Sequence, residues 1–194
     1  MESIEQMIKR LCPEGVEYVK LEKVATIKNG KDHKPFNDGD IPVYGSGGIM
    51  RYIDTYIYDN PSVLLPRKGS LGNVLFVDRP FWTVDTMFWT IIDGLLVKEK
   101  FLFYYLKNYH IEKLSLTNGG AVPSLTQSQL NTIPIPLPPM AIQNRIVEIL
   151  DKMTTLTKEL EAELEAELEA RKQQYEYYRN KLLTFNELGG ALNK

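Results

Sequence analysis

Apolar residues change their spacing three times along the chain, and each change marks a different kind of element. Near the start, Ile4, Met7, Ile8 and Leu11 share one helical face, with Ser3 and Gln6 at capping-box spacing ahead of them and Pro13 as the stop. A second short amphipathic segment, Leu21 to Ile27, closes on the turn pair Asn29-Gly30. From Asp40 to Ile92 the rhythm is that of strands. Short apolar or aromatic runs (Pro42 to Tyr44, Ile49 to Tyr58, Val63 to Leu65, Val74 to Val77, Met87 to Ile92) alternate with glycine, proline and aspartate, which predicts a mostly antiparallel β region. Helical spacing returns over Phe101 to Leu116, and Ser124 or Thr126 is placed to cap a short segment, Gln127 to Asn131. The alternation of apolar residues and prolines from Ile133 to Pro138 fits an extended edge strand, because proline cannot donate to a ladder.

Beyond Pro138-Pro139 the punctuation stops, with no glycine or proline until Gly189-Gly190. The stretch from Met140 to about Phe185 predicts one helix of about 45 residues, roughly 70 Å at 1.5 Å per residue. Ile142, Ile146, Ile149, Met153, Leu156 and Leu160 alternate steps of four and three, and Tyr175, Tyr178, Leu182 and Phe185 resume that rhythm. Between them Glu-Leu-Glu-Ala occurs three times, so Leu160, Leu164 and Leu168 are spaced by fours, a stutter that locally unwinds a supercoil. A helix this long with so narrow an apolar stripe is not stable alone and wants a partner helix. The expected class is α+β: a domain over residues 1–138, mostly antiparallel β with short helices, then a long coiled-coil helix over 139–187 and a tail over 188–194.

Composition adds exclusions. The 194 residues suffice for one ordinary core. One cysteine (Cys12) and two histidines (His33, His110) give neither a disulfide framework nor a Cys/His metal cluster. The first ten residues mix Glu2, Glu5, Lys9 and Arg10 with apolar ones, unlike a signal peptide, and no apolar run reaches membrane-spanning length, so the expectation is a cytoplasmic protein with no membrane partner. The net charge of −2 lies beyond residue 150, since residues 1–150 carry 16 basic and 16 acidic groups. Composition alone therefore gives no sign of a non-specific nucleic-acid binder.

Catalytic patterns are equally lacking. Gly45-Ser46-Gly47-Gly48 approaches a phosphate loop, but Met50 stands where the last glycine belongs and no lysine motif follows. Asp59-Asn60-Pro61-Ser62 lacks the second proline and the aromatic of an amino-methyltransferase loop. Asp32-x-Lys34 is a lone fragment of a metal-nuclease pattern. What remains are polar, glycine-rich loops on a β framework, the layout of recognition rather than turnover. Four loops stand out: Lys31 to Lys34; Tyr44 to Gly48; Pro66 to Ser70, with paired cations beside a glycine; and Thr117 to Gly120. Their side chains are of the kind that contact phosphates and read base edges. Each also has a plainer reading: Gly-Ser-Gly-Gly as a hairpin turn, Arg67-Lys68 as a solvated turn, His33 as a surface residue, and Trp82, Phe88 and Trp89 as core.

Several segments, in order, resemble the specificity subunit of type I restriction-modification enzymes: Leu11 to Glu17, Ile41 to Gly48, Pro66 to Asn73, Phe81 to Thr86, Gly119 to Leu125, Ile135 to Pro139, Gln143 to Asp151 and Arg171 to Arg179. Full-length members carry two recognition domains and two long helices, whereas this chain has one of each. The resemblance implies a non-catalytic, sequence-specific DNA-binding chain in half-length form; loop chemistry, rather than a motif of the family, gives Lys31, His33, Lys34, Ser46, Arg51, Arg67, Lys68, Ser70 and Asn118 as the candidate contacts to double-stranded DNA. It implies that Ile142, Ile146, Ile149, Met153, Leu156, Leu160, Leu164, Leu168, Tyr175, Tyr178, Leu182 and Phe185 pair with a second copy in antiparallel fashion, or with another half-subunit, and meet methyltransferase (modification) subunits. No cofactor is expected in this chain. S-adenosylmethionine would belong to the methyltransferase subunits, and ATP and Mg to the restriction motor-nuclease subunit. A homodimer would read a bipartite, inverted-repeat target and direct adenine methylation and restriction to it. The competing expectations are a coiled-coil regulatory or structural protein without DNA specificity, and a free-standing nuclease, for which the carboxylate cluster is missing.

Overall fold

The computed structural model describes residues 2–115 and 123–183, which form two units, the first ending at Val147 and the second beginning at Glu148. The predicted first helix is present as α1 (Ile4–Leu11), where the Ser3 hydroxyl accepts from the Gln6 backbone N–H and the Gln6 side chain accepts from that of Ser3. Leu21 to Ile27 is not one amphipathic element. A single 3₁₀ turn (Leu21–Lys23) gives way to β2 (Ala25–Asn29), because Ala25 and Ile27 alternate inward once the segment pairs with a neighbouring strand.

Among the described residues nine strands make three sheets. A two-stranded sheet pairs β1 (Tyr18–Lys20) with β9 (Pro134–Pro136) antiparallel, confirming the proline-rich stretch as an edge strand. A four-stranded antiparallel sheet runs in the order β2-β8-β5-β6, with β5 at Ser62–Pro66, β6 at Leu75–Val77 and β8 at Met87–Ile92. The third sheet, β4-β3-β7, joins β3 (Ile41–Gly45) to β4 (Gly48–Ile53) as a hairpin and to β7 (Trp82–Thr83) in parallel. The strand expected from Ile49 to Tyr58 therefore ends at Ile53, and Tyr58 makes only an isolated bridge to Phe81.

The apolar runs of β5 and β8 are continuous because both faces are buried. Val63, Leu65 and Phe88 join a core with Leu102 and Leu106 of α2 (Glu99–Tyr109), while Leu64, Met87 and Trp89 pack with Tyr44 and Phe81 on the opposite face. A third small cluster of Val43, Ile53, Trp82 and Val84 fills the β4-β3-β7 sheet. Between β5 and β8 two buried hydroxyls replace part of the ladder. Thr90 Oγ1 donates to the Val63 carbonyl and accepts from its N–H, both at 3.0 Å, and Ser62 Oγ donates to the Thr90 carbonyl at 2.8 Å.

The helix expected over Phe101 to Leu116 ends earlier, at Tyr109. His110 takes a left-handed backbone (φ 59°), and a 3₁₀ turn, Ile111–Leu114, follows so that Ile111 can be buried. Thr126 caps α3 (Gln127–Asn131) through a full capping box with Gln129. The long helix is α4 (Met140–Leu183). Its first two turns belong to the first unit, where Ile142, Gln143 and Val147 are buried. Gln143 is wholly enclosed: its Oε1 accepts from the Lys98 N–H at 2.8 Å, and its Nε2 donates to the carbonyls of Leu96 (3.1 Å) and Pro138 (2.9 Å). In the second unit Met153, Leu156, Leu160, Leu164, Leu168, Tyr175, Tyr178 and Leu182 are all exposed.

Candidate nucleic-acid interface

The turn between β7 and β8 holds three of the predicted loops. Within it the Met87 N–H donates to the Val84 carbonyl, and the Val84 N–H reaches back to Tyr44 of β3, each at 3.0 Å. The loop starting at Lys31 is fixed on one flank, since the Lys31 N–H donates to Thr83 (2.8 Å) and its carbonyl accepts from the Trp82 indole (2.9 Å). Gly30, just before it, lies so close that any side chain would meet the carbonyls of Val84 and Thr83. On the other flank the Thr86 carbonyl accepts the N–H groups of Arg67 (2.8 Å) and Lys68 (3.4 Å), and the Thr86 hydroxyl accepts from the Ser46 N–H at 3.4 Å.

Two clefts open beside this turn. One, about 510 Å³, is lined by Asp32, His33, Lys34, Met50, Val84, Asp85 and Thr86. Lys31 and Lys34 are exposed, whereas His33 is half-buried with its Nδ1 enclosed and unpartnered, so it is not the free surface residue its sequence context suggests. The Asp32 carboxylate accepts from the Lys34 N–H at 3.1 Å and so shapes the loop. The other cleft, about 270 Å³, is lined by Asn29, Arg67, Lys68, Phe88, Ser124, Leu125, Thr126 and Gln127. There the Arg67 guanidinium lies 5.8 Å from the centre of the Phe88 ring, with an Nη1 contact of 3.5 Å to the Asp85 carbonyl. The guanidinium carries further N–H donors beyond that contact. Lys68 bridges Ser124, and the Leu125 N–H donates to the Arg67 carbonyl at 2.8 Å, tying this loop to the segment before α3.

Lys31, His33, Lys34, Ser46, Arg67, Lys68 and Ser70 are thus carried by loops gathered around one turn. Arg51 is directed elsewhere: on β4 its Nη2 donates to the Asp38 carboxylate (2.7 Å) and to the Phe36 carbonyl (3.2 Å), holding the loop before β3. Asn118 and Phe185 lie outside the described residues. The Gly45–Gly48 turn is the β3–β4 hairpin turn, and Trp82, Phe88 and Trp89 are core residues, as their plainer readings had it. Sequence reasoning passed over Thr86, Asp85, Asn73, Asn29 and Gln127, although Asn73 and Thr86 end two of the segments that carry the family resemblance. Among the described residues no group of His, Cys, Asp and Glu is arranged to hold a metal, and no helix is long and apolar enough to cross a membrane.

Comparison with known proteins is consistent in direction. The family model for the type I restriction modification DNA specificity domain matches residues 13–170. A Haemophilus influenzae protein named as a type I restriction enzyme specificity subunit is 36% identical over 191 residues, covering 91% of this chain and 48% of that protein. The EcoprrI specificity subunit of Escherichia coli is 31% identical over 209 residues, covering 89% and 51%. Among solved structures, the S subunit of a type I restriction-modification system from M. genitalium superposes with a TM-score of 0.65 at 20% identity, over 86% of this chain and 45% of that one. The HsdS subunit from Thermoanaerobacter tengcongensis gives 0.59 at 19% identity, over 79% and 42%. This chain spans about half the length of the curated relatives it matches.

Proposed function

The chain belongs to the type I restriction modification DNA specificity family, and from that premise we propose that it is the recognition half of a bipartite DNA reader, non-catalytic in itself. The observation that carries this is the gathering of the Lys31–Lys34, Gly45–Gly48 and Arg67–Ser70 loops around the turn at Thr86, which sets exposed cations and hydroxyls on a rigid β frame. Exposed Lys31, Lys34 and Lys68 would meet phosphates, while Arg67, Ser46, Ser70 and His33 would read base edges. Arg51 acts through the loop it holds, and Asn118 completes the expected set.

The recognition domain, residues 1–138, would be carried on the helix of residues 139–187, whose exposed stripe from Met153 to Leu182 is the surface for a second helix. The partner is a second copy arranged antiparallel, or another half-subunit. Two identical halves would read an inverted repeat. Methyltransferase subunits would bind the same helices and bring S-adenosylmethionine; a motor-nuclease subunit would bring ATP and Mg. The setting for such a complex is the cytoplasm.

The test is to express the chain with its cognate modification subunit and map methylated adenines across random-sequence DNA. The expected result is one gapped inverted repeat. Two unlike half-sites would replace the homodimer with a mixed pair, and an active methyltransferase with no preferred sequence would refute DNA recognition by this chain.

A further inference from the structure

We infer that Asn73 and Thr86 are positioning residues for sequence reading, acting through Ser46; the inference rests on the DNA-recognition reading above. Ser46 is half-buried at the tip of the β3–β4 hairpin and is gripped through both of its backbone polar groups. The Asn73 side-chain amide donates to the Ser46 carbonyl at 2.9 Å, and the Ser46 N–H donates to the Thr86 hydroxyl at 3.4 Å. Both partners are distant in sequence, so neither bond is part of the hairpin's own ladder. The Ser46 side chain rests against Gly69, where a Cβ would stand 2.9 Å from the Ser46 hydroxyl and where φ is +84°, a conformation glycine alone adopts freely.

These contacts make a closed circuit. The hairpin tip is fixed to the loop of Arg67 and Lys68 by Asn73 and Gly69, and that loop is fixed to Thr86 through the Arg67 N–H. Asn73 is itself positioned by its own N–H, which donates to the Ser70 carbonyl at 3.0 Å. A hairpin tip rich in glycine has many backbone conformations, and selective reading of bases requires one of them. Phosphate attraction makes no such demand, because it follows charge rather than exact placement. Loosening the clamp therefore erodes discrimination between sequences and leaves the electrostatic affinity in place.

The experiment uses the chain complexed with its modification subunit and compares three substitutions: Asn73→Leu, which removes the donor at similar volume; Thr86→Val, which removes the hydroxyl at the same shape; and Thr86→Ser, which keeps the hydroxyl. Binding is measured on the preferred duplex and on a scrambled duplex over a range of salt. Asn73→Leu and Thr86→Val are expected to lower the preferred-to-scrambled affinity ratio about tenfold, comparable with the cost of one mismatched base pair. The salt slope and the scrambled-duplex affinity should stay unchanged, and Thr86→Ser should keep the wild-type ratio. An unchanged ratio in both disruptive variants overturns the inference, as does parallel loss of both affinities, which would mark the clamp as a folding element only. A wild-type complex with no sequence preference removes the DNA-recognition reading itself, and the inference with it.

Discussion

Replacing Gln143 by leucine removes the polar knot that ties the first turns of α4 to the rest of the first unit. The side chain is 1% exposed, and its amide satisfies three backbone groups: the Lys98 N–H, the Leu96 carbonyl and the Pro138 carbonyl. Leucine is similar in volume, so little cavity forms, and its burial gains about 1 to 2 kcal/mol over the amide. Against that, each buried backbone group left unpaired costs about 1 to 3 kcal/mol. Pro138 is buried and Lys98 partly so, whereas Leu96 is exposed enough for water to reach, so two groups bear most of the cost. The net loss comes to about 3 kcal/mol, or about 6 to 12 °C in Tm for a chain of this size. Urea unfolding followed by the fluorescence of Trp82 and Trp89, both buried in the same unit, gives the measurement. A change below about 1 kcal/mol with an unaltered slope would refute the assignment of the knot as an anchor. Gln143→Glu sharpens the test. An ionised carboxylate there would face two carbonyls, which raises its folded pKa, so this variant should be least stable above neutral pH and recover as pH falls through that raised value.

Other outcomes follow from the same structure. Gly30→Ala should destabilise by about 3 kcal/mol, since the added methyl would meet the backbone carbonyls of Val84 and Thr83 rather than a movable side chain; equal urea midpoints would refute this. Thr90→Val should cost about 2 to 4 kcal/mol, because it strands the buried N–H and carbonyl of Val63, a loss that calorimetry would read directly. Glu112 has its pKa held below the ordinary carboxylate value, first by its own backbone N–H and then by the adjacent His110. Its contribution is present above the unfolded pKa and lost as pH falls through the lowered folded one, so Glu112→Gln should make the acid limb of stability against pH shallower; an identical acid limb in both proteins would contradict it. Deleting one Glu-Leu-Glu-Ala unit should shorten the spacer of the methylated motif by about one to two base pairs, given about 6 Å of helix per unit, and an unchanged spacer would dissociate helix length from target geometry.

Elements whose signals are local were legible in the sequence. The capping box at Ser3, Thr126 as one of two candidate caps, the bounds of β8 and those of β5 to within one residue at each end needed only neighbours within a few residues. Elements decided by distant partners were not. Leu21, Val24 and Ile27 recur at helical spacing, yet pairing of Ala25–Asn29 with Met87–Ile92 draws the end of the segment into a strand. β7 is two residues long and exists through its parallel pairing with β3, which no local pattern reveals. The candidate site divides in the same way. Its cations could be named from loop composition, but Thr86 and Asn73 act across 40 and 27 residues of chain, and Arg51 looked available because its partner Asp38 lies 13 residues away on another segment.

The pairing of β1 with β9 also sets a timetable for the nascent chain. Tyr18–Lys20 finds its partners only at Pro134–Pro136, so at ordinary translation rates the first strand waits on the order of ten seconds for its complement to be synthesised. The main core remains open equally long, since it includes Ile133, Ile135 and Val147 beside Leu21 and Val24. The first unit therefore cannot close until the ribosome has entered the long helix, and a ribosome stalled before residue 134 would hold an incomplete, sticky sheet edge.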